Sequence, residues 1–206
     1  MNILVCVKQV PDTTAVKIDP VTNTLIRAGV PSILNPFDGF ALEMALQMKD
    51  KTGGTVTVMS MGPAQAEDVL RESLSVGADE AYLVSGREFG GSDTLATSYI
   101  LSCAVKAVEE KRGEKFDVIY CGKQAIDGDT GQVGPEMAEH LGYTQITYAT
   151  ELVACEGDKV QVRKETADGY DVLEAALPVV SSVTKTPFEL RYPTVKKRLA
   201  ANRAQI

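Results

Sequence analysis

Apolar and polar positions along this chain alternate between two rhythms. Residues 3–7, ILVCV, are apolar at successive positions, the pattern of a parallel strand covered on both faces. The stretch from Ala15 to Arg27 alternates instead, predicting a β-hairpin that turns at Pro20 to Asn23. Asn35-Pro36 then opens a helix, with Asn as N-cap and Pro at the first helical position. Phe37, Ala41, Met44, Ala45 and Met48 make its apolar stripe, and Gly53-Gly54 ends it. A strand at 55–61, a helix from Pro63 to Val76 and a strand from Ala81 to Val84 follow. Ser92 or Asp93 caps a long helix that runs to about Lys111. Val118, Ile119 and Tyr120 form a further buried strand, and Met137, Ala138 and Leu141 share one side of a further helix.

Strand and helix in this alternation predict an α/β fold, a parallel sheet flanked by helices. After Gly142 the texture changes. Residues 145–153, 159–164, 170–175 and 179–184 read as short strands, joined in part by the turns EGD and ADG. They are expected to extend the sheet with antiparallel pairs. With no linker or internal repeat, residues 1–186 read as one nucleotide-binding, Rossmann-like domain. Residues 187–206 are a C-terminal tail with two prolines and a helix-forming, basic end, KKRLAANRAQI. Having few apolar residues, the tail is expected to be poorly ordered alone and to contact a partner.

Composition narrows the function. The chain of 206 residues is 44% hydrophobic and 24% charged, ordinary globular material. A net charge of −7 argues against a nucleic-acid surface, which needs a basic stripe. No apolar run approaches membrane-spanning length and no secretory signal is present, so the expected address is cytoplasmic, without membrane insertion. Cys6, Cys103, Cys121 and Cys155 are scattered without a CxxC pair and read as thiols in a reducing compartment. One histidine, His140, cannot build a metal site and reads as a partner for a helix dipole.

Chemistry concentrates in residues 117–142, DVIYCGKQAIDGDTGQVGPEMAEHLG. A buried strand runs into a glycine-punctuated loop and then into an amphipathic helix, a geometry in which backbone N–H groups converge on an anion. It is neither a Walker loop nor GxGxxG, and a plain strand–helix connection capped by Thr130 or Asp129 fits the spacing equally. The helix starts either at Thr130 or, because of Pro135, at that proline with Gly134 as cap. Ligands of parallel sheets bind beyond the strands' carboxyl ends. That rule gathers Cys6 to Lys8, Asn35, Ser60 to Gly62 and residues 122–134 at one crevice.

The order of residues says more than their spacing. GKQAIDGDTGQVGPEMAEHLG closely resembles the nucleotide-binding stretch of the β subunit of electron transfer flavoproteins. NILVCVKQVPD, NPFDGFALEMALQMKD, VMSMGPAQAEDVLRESLSVGADEAYLV and VRKETADGYDVLEAALPVVSSV resemble the same family, in the same order. The resemblance implies an adenine-nucleotide site: adenosine contacts on Cys6, Asn35, Pro36, Phe37, Asp38 and Met61. Diphosphate contacts fall on Gly122, Lys123, Gln124, Ala125, Ile126, Asp127, Gly128, Asp129, Thr130, Gly131, Gln132 and Val133. Asn35 offers donor and acceptor to a ribose or base edge. Lys123 is suited to balance phosphate charge, while Asp127 and Asp129 are expected to turn away from it as loop acceptors or caps.

The family's simpler members hold AMP in this crevice and its electron-bifurcating branch holds FAD. DGDTGQVGPE resembles the bifurcating branch, where a glycine such as Gly128 replaces a bulkier acidic residue, so FAD is favoured over AMP. The implied function is an electron-carrier subunit, with no catalytic residue and no metal, paired with an α subunit that holds another FAD. NADH is the implied donor in the bifurcating variant. An acyl-CoA or related dehydrogenase docks through Tyr192 to Lys197, where Val195 stands in place of the usual leucine. Family members also continue for several tens of residues past the point matching Ile206, as an arm around the α subunit. The alternative is a nucleotide-binding regulatory module, with AMP or ATP and no redox role. A stand-alone hydrolase or adenylating enzyme ranks last, for want of a general base.

Overall fold

Strand β1 (Asn2–Cys6) carries Ile3 and Val5 to one face and Leu4 and Cys6 to the other, all buried, which explains its unbroken apolar run. A computed structural model of the chain describes residues 1–12, 17–18, 25–26 and 31–206. Two short antiparallel pairs follow β1: β2 (Gln9–Pro11) with β5 (Ser32–Leu34), and β3 (Lys17–Ile18) with β4 (Leu25–Ile26). The second pair is the predicted hairpin, whose turn at 20–23 lies outside the described residues.

Helix α1 (Pro36–Thr52) begins one residue after Asn35 and ends where Gly53 turns left-handed, as predicted. Then come β6 (Thr55–Met61), a 3₁₀ turn at Ala64–Ala66, α2 (Glu67–Val76) and β7 (Glu80–Val84). Helix α3 (Thr94–Arg112) is capped by Asp93, whose side chain accepts from the Ala96 N–H. Strand β8 (Val118–Gly122), α4 (Val133–Leu141), β9 (Thr144–Glu156), β10 (Lys159–Thr166), β11 (Gly169–Ala176), β12 (Val179–Val183) and α5 (Val195–Ala201) complete the order.

Among the described residues one eight-stranded sheet runs β11-β10-β9-β12-β8-β1-β6-β7. The stretch from β9 to β7 is parallel throughout, and β10 and β11 add antiparallel strands at one end. The antiparallel extension is therefore smaller than expected. The chain returns after β11 and inserts β12 between β8 and β9, parallel to both, where its VVSSV is buried on both faces. Helices α1 and α2 cover the face of Val5, Val58 and Tyr120, while α3 and α4 cover the face of Leu4, Met59 and Ile119. From β1 the chain builds outward through β6 and β7, then crosses to β8 on β1's other side. That reversal opens a crevice at the carboxyl ends of β1 and β8.

The tail lies on α1 and α2. Phe188, Ala201, Ala204 and Ile206 pack against the core, and polar anchors add to them. Arg191 donates to the buried Glu43 carboxylate from Nε and Nη2, both at 2.9 Å, and to Asp50 at 3.0 Å. Arg71 of α2 reaches the carbonyls of Ala201 and Ala204 at 2.7 and 3.2 Å, and Ala201 is buried.

Candidate functional site

The crevice is a cleft of about 620 Å³, within the usual range for small-molecule sites. Cys6, Met59, Met61 and Cys121 at the ends of β1, β6 and β8 line its apolar part, together with Leu101 of α3. Burial, aided by the Asp38 charge, pushes the Cys6 thiol up to about 12. Burial raises Cys121 well above its usual range too, reinforced by Cys6 and Asp38. Both sulfurs are thiols at neutral pH, so this part of the cleft suits an uncharged ring.

The start of α1 locks the strand ends together. Asp38, buried, accepts from the Lys8 N–H at 2.8 Å and the Gly122 N–H at 2.9 Å, tying β1 to β8. Burial lifts its carboxyl to about 7, against the pull of those donors. Asn35 stands at the N-cap position without capping: its Nδ2 donates to the Gln124 carbonyl at 2.9 Å and its Oδ1 accepts from the Ile126 N–H at 3.2 Å. The amide expected to face a ribose or base is in fact a clasp on the loop. Gly122 permits this assembly, since a Cβ there would meet the Asp38 carboxylate and lie 2.7 Å from the Phe37 Cβ.

The loop is tied at two further points. Asp127 forms an ion pair with Lys8 at 2.8 Å, and Asp129 accepts from Gln124 Nε2 at 2.7 Å. Both acids thus serve as loop acceptors. Asp129 and Gly131 have positive φ, 54° and 65°. Beyond them the N–H groups of Thr130, Gly131, Gln132, Val133 and Gly134 meet no acceptor among the described residues. Helix α4 starts at Val133, between the two predicted starts, and neither Thr130 nor Asp129 caps it. Pro135 falls in the first turn, where its missing N–H costs nothing. An uncapped helix start behind a run of free N–H groups is an anion cradle. The neighbouring α3 start also lines the cleft but is occupied by the Asp93 carboxylate. The α4 side can therefore receive an anionic group, and the apolar side an uncharged ring.

Of the residues expected at the site, Cys6, Asn35, Asp38, Met61, Gly122, Lys123, Gln124, Ala125 and Gly128 through Val133 line the cleft. Pro36, Phe37, Ile126 and Asp127 stand behind them as support, Pro36 in the first turn of α1 and Asp127 on Lys8. Sequence reasoning missed one wall: Phe89, Gly91, Ser92, Asp93, Thr94 and Thr97. Thr94 Oγ1 donates to Gln132 Oε1 at 2.9 Å, joining this wall to the loop. The only signal for it was the Asp93 cap, which places a helix start at a sheet's carboxyl edge.

Comparison with known proteins identifies the family. A family model described as the electron transfer flavoprotein domain matches residues 22–206. The electron transfer flavoprotein subunit beta of Megasphaera elsdenii is 57% identical over 208 aligned residues, covering 100% of this chain and 77% of the relative. Its namesake in Clostridium acetobutylicum is 53% identical, over 98% of the chain and 75% of the relative. The caffeyl-CoA reductase-Etf complex subunit CarD of Acetobacterium woodii is 52% identical, over 95% and 72% respectively. Such proteins are electron-carrier subunits, not enzymes in themselves. With a domain match over most of its length and relatives this similar, the chain belongs to the electron transfer flavoprotein family, on its β-subunit side.

Proposed function

We propose that the cleft holds FAD and that, paired with an α subunit, the chain carries electrons between NADH or a dehydrogenase and their acceptors by flavin-based electron bifurcation. AMP is the alternative occupant. The observation that carries this reading is the run of five N–H groups, 130–134, that meet no acceptor among the described residues at an uncapped helix start. The neutral, apolar side of the cleft suits the adenine ring. FAD is favoured over AMP by Gly128, where a Cβ would meet nothing within 4 Å and φ lies outside the left-handed region. No internal contact demands glycine there, so its absent side chain leaves cleft space free.

The flavin supplies the redox chemistry when bound. The chain's own part is to hold the diphosphate by backbone N–H groups, to seat the ring among apolar side chains and to keep acids 127 and 129 engaged elsewhere. The Acetobacterium woodii relative is named as part of a caffeyl-CoA reductase complex. A CoA-ester reductase or acyl-CoA dehydrogenase is the partner class proposed here, docking through Tyr192 to Lys197.

The test is the content of the heterodimer with its α subunit. After incubation with excess FAD and desalting, denaturation should release about two flavins per heterodimer and no AMP, given a fully occupied preformed site. One flavin with one AMP, persisting through that treatment, would overturn the FAD reading and with it bifurcation.

A further inference from the structure

The cleft has two lysines, and they are held in different ways. Lys8 is neutralised by Asp127 at 2.8 Å. Lys123 has no carboxylate partner among the described residues. Its Nζ instead lies 5.2 Å from the centroid of the Tyr148 ring, and its N–H donates to the Val183 carbonyl at 2.7 Å. An aromatic face holds an ammonium while leaving its charge uncompensated. Lys123 is thus the lining lysine whose charge is available to an anion.

Tyr148 occupies an unfavourable backbone conformation to be there. Its φ is +59°, a left-handed value that bulky side chains rarely adopt. It falls where the pairing of β9 with β12 slips register, between Ser181 and Val183. Its N–H is caught by Ser182 Oγ at 3.2 Å rather than by the strand ladder. Tyr148 is only partly buried, 40% exposed. A glycine or asparagine would fit this turn with less strain, so backbone geometry alone leaves the tyrosine unexplained.

We propose that Tyr148 is a positioning residue: its ring, set by the strained turn, holds the Lys123 ammonium beside the 122–134 loop that lines the cleft. The inference rests on the reading of the cleft as a site for FAD or AMP. An isolated lysine with four rotatable bonds must be ordered when an anion binds, and a ring that orders it beforehand lowers that cost.

The test is a titration of the full chain with FAD and with AMP, for Tyr148→Gly, Tyr148→Phe, Lys123→Gln and the double variant Tyr148→Gly with Lys123→Gln. Tyr148→Gly should weaken both ligands about two- to fivefold, the scale of an exposed cation–π contact. Tyr148→Phe, which keeps the ring, should bind like wild type. In the Lys123→Gln background the glycine should cause no further loss. The thermal midpoint of Tyr148→Gly should stay close to that of wild type, relieved strain offsetting lost burial, which separates weaker binding from lost fold; Tyr148→Asn is the second truncation that tolerates this backbone. Wild-type affinity in both truncations, or an equal loss in the Lys123→Gln background, would overturn the role of Tyr148 alone. A wild-type chain that binds neither ligand would overturn the cleft reading itself, and this inference with it.

Discussion

Gly122 and Gly128 stand in the same loop region for opposite reasons. At Gly122 the first turn of α1 presses on the backbone, and a methyl group would force Asp38 and Phe37 apart. Gly122→Ala should therefore destabilise the fold by about 1–3 kcal/mol, the usual cost of overpacking, as read from urea unfolding. Gly128 borders open space, so Gly128→Asp should leave stability unchanged while its charge weakens FAD binding at least about tenfold. Equal flavin content per protein in Gly128→Asp would contradict the site. Asp38 gives a further handle. Its folded carboxyl is raised to about 7 from an ordinary 3.8, so the folded chain holds more protons than the unfolded one in between. The stability this group contributes is complete below about 3.8 and is lost as pH rises through 7. Unfolding free energy should fall by up to about 1.4 kcal/mol per pH unit between those values, and Asp38→Asn should remove that slope. The slope is the quantity to read, because the asparagine also misplaces a donor against an N–H group.

At the scale of elements, periodicity located nearly every strand and helix but not which strands would be neighbours. VVSSV at 179–183 reads as a strand; that it slips between β8 and β9 is a long-range choice with no local signature. The loop at 122–134 was legible through its glycines and through family resemblance. The opposite wall, SGREFGGSD at 85–93, reads as a polar connection because its one aromatic, Phe89, has no periodic neighbours. The tail's seat was not legible for a related reason: its few apolar residues, Phe188, Ala201, Ala204 and Ile206, show no periodicity, and the buried Glu43 of α1 that receives Arg191 gives no local signal. Arg191→Ala would leave that buried carboxylate short of three donated bonds, one of them from Arg191's own backbone if the segment lifts. A loss of about 1–3 kcal/mol is expected, confined to the tail. Hydrogen exchange should show residues 187–206 losing protection while β1 and β8 keep theirs; unchanged tail protection would refute the anchor.

Over the whole molecule the cleft and the tail are separate surfaces, the cleft walled by α3 and α4 on one side of the sheet and the tail lying on α1 and α2 on the other. The tail's outer side presents Tyr192, just before α5, and Val195 and Leu199, one helical turn apart on it; they are 89%, 79% and 54% exposed. Lys196, Lys197 and Arg198 flank them in a chain whose net charge is −7, an arrangement suited to an acidic partner with an apolar pocket. If this is where an acyl-CoA or related dehydrogenase docks, cofactor binding and partner recognition should be separable by mutation. Val195→Leu adds one methylene of buried contact, about 0.8 kcal/mol, and should tighten the partner about fourfold. Val195→Asp and Tyr192→Asp should weaken it by more, since each would bury an unpaired charge. In all three variants flavin content and thermal midpoint should match wild type, because these side chains are exposed and touch no part of the cleft. The measurement is electron transfer from a reduced partner dehydrogenase at rising ionic strength, alongside flavin released per heterodimer. Loss of flavin in the aspartate variants would mean that the tail acts through the cleft, and unchanged transfer would move the docking surface elsewhere on the molecule.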